Sequence, residues 1–467
     1  MASPDQSADL PPANPHHERL VNLIHSSTQE SVKVNSVRVE GHKYTKPHVL
    51  ERIVKDVLEA KTLGEVMGQS KLACHRLNRL GIFRSSEVIL DTPPSSSGRN
   101  LVDVIILVEE APRMYAKTGT EIGNYEGNMN ASINFRNVLG AGETLEANWT
   151  YGVETSVPLH KEANEPFATS TGTSYQVLFG KPINANPDTK FELAAFKLNR
   201  NMALFSSHEE AINGFSARYK LLNGRYGRHE FQYDASWRHI YNLSKDASWS
   251  IRENAGHSLK SSIGHSFTRD QRDDPMLPTK GYYVKLFQEF AGLGGDVRHL
   301  KSEVETQLIK PLGYGFSLSG SARTGLLVPL FGDKTKISDR FFLGGPLSIR
   351  GFRQSGLGPK DGKDTLGGDA YWAAGLSLLT PLPYLVDKPL RGHLFINGGN
   401  LIPVNTQKAA PETLAELFRY PSVSVGMGLA VRFSILRLEI NWCLPVAATT
   451  TDNMKPGLQF GVGINYI

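Results

Sequence analysis

From residue 113 to the C-terminus, the chain is a succession of short segments in which apolar and polar residues alternate, and this pattern constrains the fold most. Alternation with a period of two is typical of β-strands that have one apolar and one polar face. We predict about sixteen such strands, several of them near the length that a tilted transmembrane strand needs. They cover 114–122, 127–135, 144–154, 172–180, 190–198, 213–222, 229–241, 257–269, 281–290, 301–310, 314–326, 368–380, 391–398, 422–433, 435–443 and 457–466.

The alternation is clearest in the fifteenth of these strands. There Leu438, Ile440 and Trp442 fall on one face, and Glu439 and Asn441 fall on the other. Apolar residues outside and polar residues inside are typical of a membrane β-barrel with a hydrated lumen. A large soluble β-sandwich would show the same alternation, but the number of strands and the absence of a cysteine framework favour the barrel.

Hydropathy agrees with this interpretation. No run of 18 or more apolar residues occurs, which excludes a transmembrane helix. The mean hydropathy of -0.28 is compatible with a membrane protein only if strands cross the bilayer, because alternating strands average to a hydrophilic value.

The N-terminal part has a different organisation. Residues 1–30 are polar and lack a basic region followed by an apolar core, so we expect a disordered tail and no secretory signal. Residues 31–112 predict one compact α+β domain. Its elements follow the order β-α-α-β-β: a strand at 32–39, a helix from Pro47, a second helix at 63–80, and strands at 83–90 and 101–108.

A loop of about 40 residues separates the eleventh and twelfth strands, between Leu327 and Gly367. Loops of that length are usually functional or disordered. This one is too rich in apolar and aromatic residues to be disordered, and it carries Arg350 between Ile349 and Gly351. Because an unpaired buried charge is costly, we expect the loop to dock in a cavity that provides Arg350 with a partner.

Signs of catalysis are missing from the sequence. It contains no phosphate-binding loop, dinucleotide fingerprint or nucleophile elbow, and the segment 292–295 is interpreted as a simple loop. Asp270, Asp273 and Asp274 are interpreted as a turn paired with Arg272 instead of a metal or acid–base site. The net charge of +5 is weak and scattered. We therefore expect no enzymatic activity, no cofactor, no metal and no nucleic-acid partner.

Several motifs together resemble the BamA-type outer-membrane assembly superfamily. They are the single module at 31–112 and the segments Asp270–Gly281, Leu343–Phe352, Leu366–Gly368 and Phe395–Gly399. The module resembles a POTRA domain, although its pattern would also fit a generic small α+β domain. With one POTRA-like module and no signal peptide, the chain looks most like the core subunits of the mitochondrial sorting and assembly machinery (the SAM complex).

The resemblance implies a membrane barrel of about 16 antiparallel strands, preceded by one POTRA domain. It also implies that this barrel inserts β-barrel precursors, such as porin-like proteins, into the membrane. The precursor's C-terminal strand would pair at a lateral seam between the first and last strands. Glycines weaken strand pairing and would ease opening, although they could equally serve barrel curvature. The seam positions are Tyr115, Lys117, Gly119, Glu121 and Gly123 on the first strand, and Gly461, Val462, Gly463, Ile464 and Tyr466 on the last. The alternative is a polypeptide-translocating or solute-conducting pore of the same superfamily.

The resemblance further implies that the loop residues 349–352, Ile349, Arg350, Gly351 and Phe352, form a latch inside the lumen. In the family the arginine pairs with acids on the inner wall. The matching positions here are Asn397 and Ser377, so Arg350 has either neutral partners or another acid, Glu439 or Asp369.

The resemblance places the barrel in the mitochondrial outer membrane, in contact with the lipid bilayer, with the POTRA module and the N-terminus in the intermembrane space. It implies cytosol-facing SAM helper subunits as partners. Inner-membrane contact-site proteins are a further partner class to be tested.

Overall fold

The computed structural model describes residues 27–93, 100–122, 126–154, 172–224, 226–382, 389–405, 408–433 and 436–463. Most of the tail expected at 1–30 therefore lies outside the described residues. The chain forms two compact units. Among the described residues, the first contains those up to Met114 together with 135–144 and 181–187, and the second contains the remainder.

The first unit contains a three-stranded sheet and two helices. Strand β3 lies in the middle, parallel to β1 and antiparallel to β2. The elements are β1 (Lys33–Glu40), α1 (Pro47–Leu58), α2 (Leu63–Arg79), β2 (Phe83–Asp91) and β3 (Leu101–Glu110). This is the β-α-α-β-β order predicted from the sequence.

Local signals explain both helices of this unit. Pro47 begins α1 at the position where the missing N–H costs nothing. Thr62 caps α2 by accepting a hydrogen bond from the Glu65 backbone N–H at 3.2 Å. Gly81 follows α2 with φ +74°, the left-handed conformation that commonly ends a helix. Apolar stripes of the two helices pack on β1 and β3 to form the core of the unit.

The second unit is built on one sheet of sixteen strands, and consecutive strands are neighbours throughout. The predicted fold class, a 16-stranded antiparallel membrane barrel after one small α+β domain, is confirmed. Its strands are β4 (Met114–Ile122), β5 (Glu126–Arg136), β6 (Thr144–Glu154), β7 (Thr173–Pro182), β8 (Thr189–Asn201), β9 (Glu209–Gly224), β10 (Gly227–Tyr241), β11 (Gly256–Asp270), β12 (Gly281–Gly295), β13 (His299–Gly313), β14 (Phe316–Pro329), β17 (Ala370–Thr380), β18 (Leu390–Ile402), β19 (Ser422–Phe433), β20 (Leu436–Ala447) and β21 (Gly457–Gly463). The long loop between β14 and β17 contains a separate hairpin of two short strands, β15 (Lys360–Asp361) and β16 (Asp364–Thr365).

The two faces of the sheet differ as the alternation predicts. On β20, Ile440 and Trp442 are 40% and 61% exposed, whereas Glu439 and Asn441 are buried. The exposed apolar face is the lipid-facing wall, and the polar face lines the lumen.

One interpretation of the sequence was wrong. The segment 292–295, expected to be a loop, forms the end of β12, where its glycines continue the strand. The sequence signal is weak there because glycine has no side chain to alternate.

In the part of the chain that the structure describes, three short helices lie in connections between barrel strands: α3 (Ala203–Ser206), α4 (Trp249–Asn254) and α5 (Ala410–Arg419). None of the helices in the described ranges is long and apolar enough to cross a membrane.

Candidate functional site: the lumen loop and the ends of the strand order

The connection between β14 and β17, residues 330–369, packs against the polar face of the barrel strands, and we call it the lumen loop. Its base is closed by two backbone hydrogen bonds between Phe341 and Gly368, at 2.8 and 2.9 Å. An isolated bridge joins Leu343 to Leu357 further along. The loop thus has its own internal structure, which limits the positions that Arg350 can take.

Arg350 at the tip of this loop forms a buried ion pair with Glu439 of β20. Its Nη2 and Nε atoms lie 2.8 and 3.1 Å from Glu439 Oε2, and both side chains are at most 1% exposed. Asn441 donates to the same carboxylate oxygen at 2.7 Å, and Arg437 lies 2.5 Å from Oε1. Of the acids considered from the sequence, Glu439 is thus the one that pairs with Arg350.

Neutral groups complete the surroundings of Arg350. With its amide oxygen facing the loop, Asn397 accepts from Arg350 Nη1 at 3.3 Å and from the Arg350 backbone N at 3.1 Å. Ser424 donates its hydroxyl to the Arg350 carbonyl. The guanidinium also lies over the Phe395 ring, 4.8 Å from its centroid, an attractive cation–π distance. The socket of Arg350, the group of wall residues that holds its side chain and backbone, therefore combines one acid, Glu439, with neutral and aromatic contacts.

The residues after Arg350 tie the loop to the last strand and to the turn before it. The Gly351 backbone N–H donates to Gln459 of β21 at 3.0 Å, and Gln459 donates to the Phe352 carbonyl at 3.2 Å. Lys455 donates its backbone N–H to the Gly351 carbonyl at 2.8 Å. Gly351 has φ +84°, and a Cβ there would lie 2.9 Å from Ser424 Cβ. Glycine is needed both for the conformation and for the close approach.

Ile349 and Phe352 anchor the tip by apolar packing. Both side chains are fully buried, in a cluster formed by the loop and the inner wall. The cluster contains Leu327, Phe341, Leu343, Ile349, Phe352, Leu357, Tyr371, Ala373 and Leu401.

The other socket candidates lie nearby but contact other groups. Ser377 hydrogen-bonds with His393 at 3.1 Å, and His393 lies 3.9 Å from Glu439. Asp369 lies 3.7 Å from Arg340 and accepts from the Val404 backbone N–H at 3.1 Å.

A second ionic anchor holds the lumen loop, and sequence reasoning missed it. Asp339 accepts from Arg238 of β10 at 2.8 Å and from Lys260 of β11 at 3.0 Å. Lys260 also pairs with Glu289 of β12. Lys301 of β13 donates to the Asp339 carbonyl at 3.1 Å. Burial alone would raise the pKa of Asp339, but Arg238 and Lys260 hold that pKa well below its usual range.

A signal for this anchor exists in the sequence. Arg238 and Lys260 alternate with the apolar residues Trp237 and Leu259 and so fall on the polar face of their strands. Two cations on a lumen wall require acidic partners, and Asp339 is the acid of the loop that reaches them.

The loop therefore has two anchors of opposite charge. Arg350 reaches Glu439 on β20, and Asp339 reaches β10 and β11. Each charge is buried against the opposite charge of the wall, so removing Arg350 or Asp339 takes a counter-charge away from buried ions of the wall.

The predicted seam positions lie on β4 and β21, the two ends of the strand order. Lys117 is exposed and its ammonium lies over the Tyr115 ring, 5.3 Å from the centroid, and a Cβ added at Gly119 would have no neighbour within 4 Å. Glu121 belongs to β4, and Gly123 lies outside the described residues.

On the last strand, β21 pairs with β20 through its whole described length. Gly461, Val462 and Gly463 pair with Glu439, Leu438 and Arg437 in that order. Ile464 and Tyr466 lie outside the described residues. Among the described residues, no group of three or more His, Cys, Asp or Glu side chains is arranged to hold a metal ion.

The sheet and the inward loop can be compared with known proteins. Residues 137–466 match the model of the Omp85 superfamily domain. The crystal structure of BamA from Haemophilus ducreyi lacking POTRA domains 1–3 superposes with a TM-score of 0.76 over 92% of this chain and 84% of that one, at 18% identity. The fold is that of an outer-membrane barrel of the Omp85 superfamily.

Curated relatives narrow this class. The sorting and assembly machinery component 50 homolog of Homo sapiens is 37% identical over 94% of this chain and 91% of its own length. Homolog B of Xenopus laevis is 36% identical over 100% and 96%, and a SAM50-like protein of Schizosaccharomyces pombe is 35% identical over 96% and 94%. The chain belongs to the family of sorting and assembly machinery component 50 proteins.

Proposed function

We propose that this protein inserts precursor β-barrel proteins, such as porins, into the mitochondrial outer membrane. The precursor's C-terminal strand pairs with β4 at a lateral seam between β4 and β21. The observation that carries the proposal is the position of these two strands at the ends of the sixteen-strand order, in a chain of this family.

The proposed chemistry is main-chain hydrogen bonding. An open strand edge presents N–H and C=O groups that act as a template for another strand. In lipid these groups find no water, so the free energy gained by pairing them is large. Glycines 119, 461 and 463 reduce cross-strand side-chain contacts at the seam and lower the cost of opening it.

The lumen loop acts in this proposal as a brace for the C-terminal side of the seam. Its Arg350 anchor is bonded to β20, and its Gly351 backbone is bonded to β21. Its Asp339 anchor is bonded to β10 and β11. A loop held at both points keeps β20 and β21 in place while β4 moves, so β4 provides the edge for the precursor.

Partners and orientation follow the same proposal. The first unit and the N-terminus lie in the intermembrane space, where inner-membrane contact-site proteins are the candidate neighbours. The lumen loop then enters from the cytosolic end, because an odd number of strands precedes it. Cytosol-facing helper subunits bind at that end, and the exposed apolar wall contacts the bilayer.

Depletion of the protein tests this function. Newly made porin should fail to assemble in depleted mitochondria, while import of presequence-bearing proteins is initially unchanged. Re-expression of the unaltered chain should restore porin assembly. Normal porin assembly in depleted organelles would contradict the proposal, and an early loss of presequence import would favour a translocating pore.

A further inference from the structure

Helix α5, in the connection between β18 and β19, folds onto the lipid-facing wall of the barrel. The Leu417 carbonyl, near the C-terminal end of the helix, accepts from Trp372 Nε1 at 3.0 Å and from Asn400 Nδ2 at 2.9 Å. The Phe418 ring stacks on Trp372 with 5.4 Å between centroids. These contacts satisfy a carbonyl that the helix itself leaves free and fix the helix against the wall.

The wall at this point is the outward face of the sheet. Trp372 and Asn400 are register partners, as are Leu376 and Ile396 further along the same two strands. Leu376 and Ile396 are 48% and 47% exposed, as lipid-facing side chains are. Because side chains two positions apart share a face, Trp372 and Asn400 point to the same side.

The helix itself is amphipathic. Leu414, Leu417 and Phe418 lie at helical spacing on one side. Leu417 is buried against Ala370 and Ile402, but Leu414 and Phe418 remain 57% and 55% exposed. The barrel therefore covers only part of the apolar face of α5.

The position of α5 along strand β17 indicates what covers the remaining apolar face of the helix. Strand β17 has 11 residues, the length of one transmembrane crossing, and Trp372 is near its start. Leu376, in the apolar band, lies about 13 Å further along the strand. The helix thus lies at the edge of the band, where tryptophan is typical of the membrane–water interface.

We propose that α5 is an interfacial helix that inserts Leu414 and Phe418 into the bilayer surface beside β17 and β18. The lipid is identified by continuity, because the exposed apolar face of the helix extends the lipid-facing wall. Its polar side, with Glu412, Glu416 and Arg419, faces water.

Lipid quenching of a single fluorophore tests this proposal. The full chain, with Cys74→Ser and Cys443→Ala, is folded into phosphatidylcholine vesicles after labelling at Leu414→Cys with an environment-sensitive dye. Glu416→Cys, on the polar side, is the matched control, and Leu394→Cys on the wall is the positive control. Phe418→Cys replaces Leu414→Cys if the latter does not fold.

Brominated phospholipids should quench the dye at position 414 about threefold more strongly than at 416, and close to its level at 394. Equal quenching at 414 and 416 would overturn the proposal. In mitochondria, a photocrosslinker at 414 should label lipid. A discrete protein adduct would assign this face to a helper subunit instead and would likewise overturn it.

Discussion

Removing the charge of Glu439 tests whether the Arg350 contact is a strong latch. In Glu439→Gln the side chain keeps its size, but its amide nitrogen replaces one of the oxygens that face Arg350 and Arg437. Both arginines are buried, 1% and 6% exposed, so the surrounding water cannot replace the lost carboxylate. The lumen loop should therefore dock much less tightly.

The magnitude follows from burial. Removing one partner of a buried ion pair costs about 3–5 kcal/mol, roughly a hundredfold or more in a docking equilibrium. Glu305→Gln is the matched control, because Glu305 pairs with Arg323 at 2.9 Å but both side chains are more than 20% exposed. That pair should contribute about 1 kcal/mol or less.

The assay is urea unfolding of the full chain folded in detergent, followed by tryptophan fluorescence. Glu439→Gln should lower the free energy of unfolding by several kcal/mol more than Glu305→Gln does. Adding Arg350→Met to Glu439→Gln should cost less than the sum of the two single substitutions, because they remove the same interaction. Equal losses for Glu439→Gln and Glu305→Gln would refute the latch.

Two further predictions concern the same loop. Gly351→Ala should destabilise the barrel by roughly 2–3 kcal/mol, because alanine must adopt a positive φ there and its added Cβ would crowd Ser424. The control is Gly362→Ala, which has φ +62° but no atom within 4 Å of the added Cβ, and it should cost about 1 kcal/mol in the same assay. Equal losses for the two substitutions would contradict the packing argument. The folded pKa of Asp339 lies below its unfolded value, so its stabilisation is present above about pH 4 and is lost as the pH falls through the folded pKa. Asp339→Asn should therefore lower stability at pH 7 by about 3 kcal/mol and flatten its decline on the acid side, and an unchanged pH curve would refute the second anchor.

The barrel could be predicted because the alternation of apolar and polar residues within each strand shows which side chains face lipid and which face the lumen. On β20 the period of two alone assigned Trp442 to the lipid side and Glu439 to the lumen, which the burial of these residues matches. Strand ends were less predictable. Strand β9 covers 209–224 where 213–222 was expected, because backbone pairing continues where alternation weakens.

For the lumen loop, the sequence predicted that Arg350 needs an acidic or hydrogen-bonding partner, but it did not identify that partner. A buried arginine needs a counter-charge wherever it docks, so an acid could be expected for Arg350. Whether Glu439 or Asp369 met it depended on where a 40-residue loop reaches in three dimensions, which no local pattern encodes. Asp339 was not predicted because its partners Arg238 and Lys260 lie 101 and 79 residues away in the sequence. Alternation places the two cations on the polar face of their strands but does not say which acid reaches them.

Disulfide trapping of a precursor at the seam tests the central proposal most directly. Single cysteines at 115, 117, 119 and 121 in a chain with Cys74→Ser and Cys443→Ala are combined with an arrested porin precursor carrying one cysteine in its C-terminal strand. Ile263→Cys, on the lipid-facing wall of β11 and 49% exposed, is the control.

The proposal predicts crosslinks to β4 that shift in step with the precursor cysteine, as register pairing requires, and none at position 263. Two results would contradict a seam that receives the precursor strand. One is crosslinks at β4 that are no stronger than those at 263, and the other is crosslinks whose position on β4 does not change when the precursor cysteine is moved.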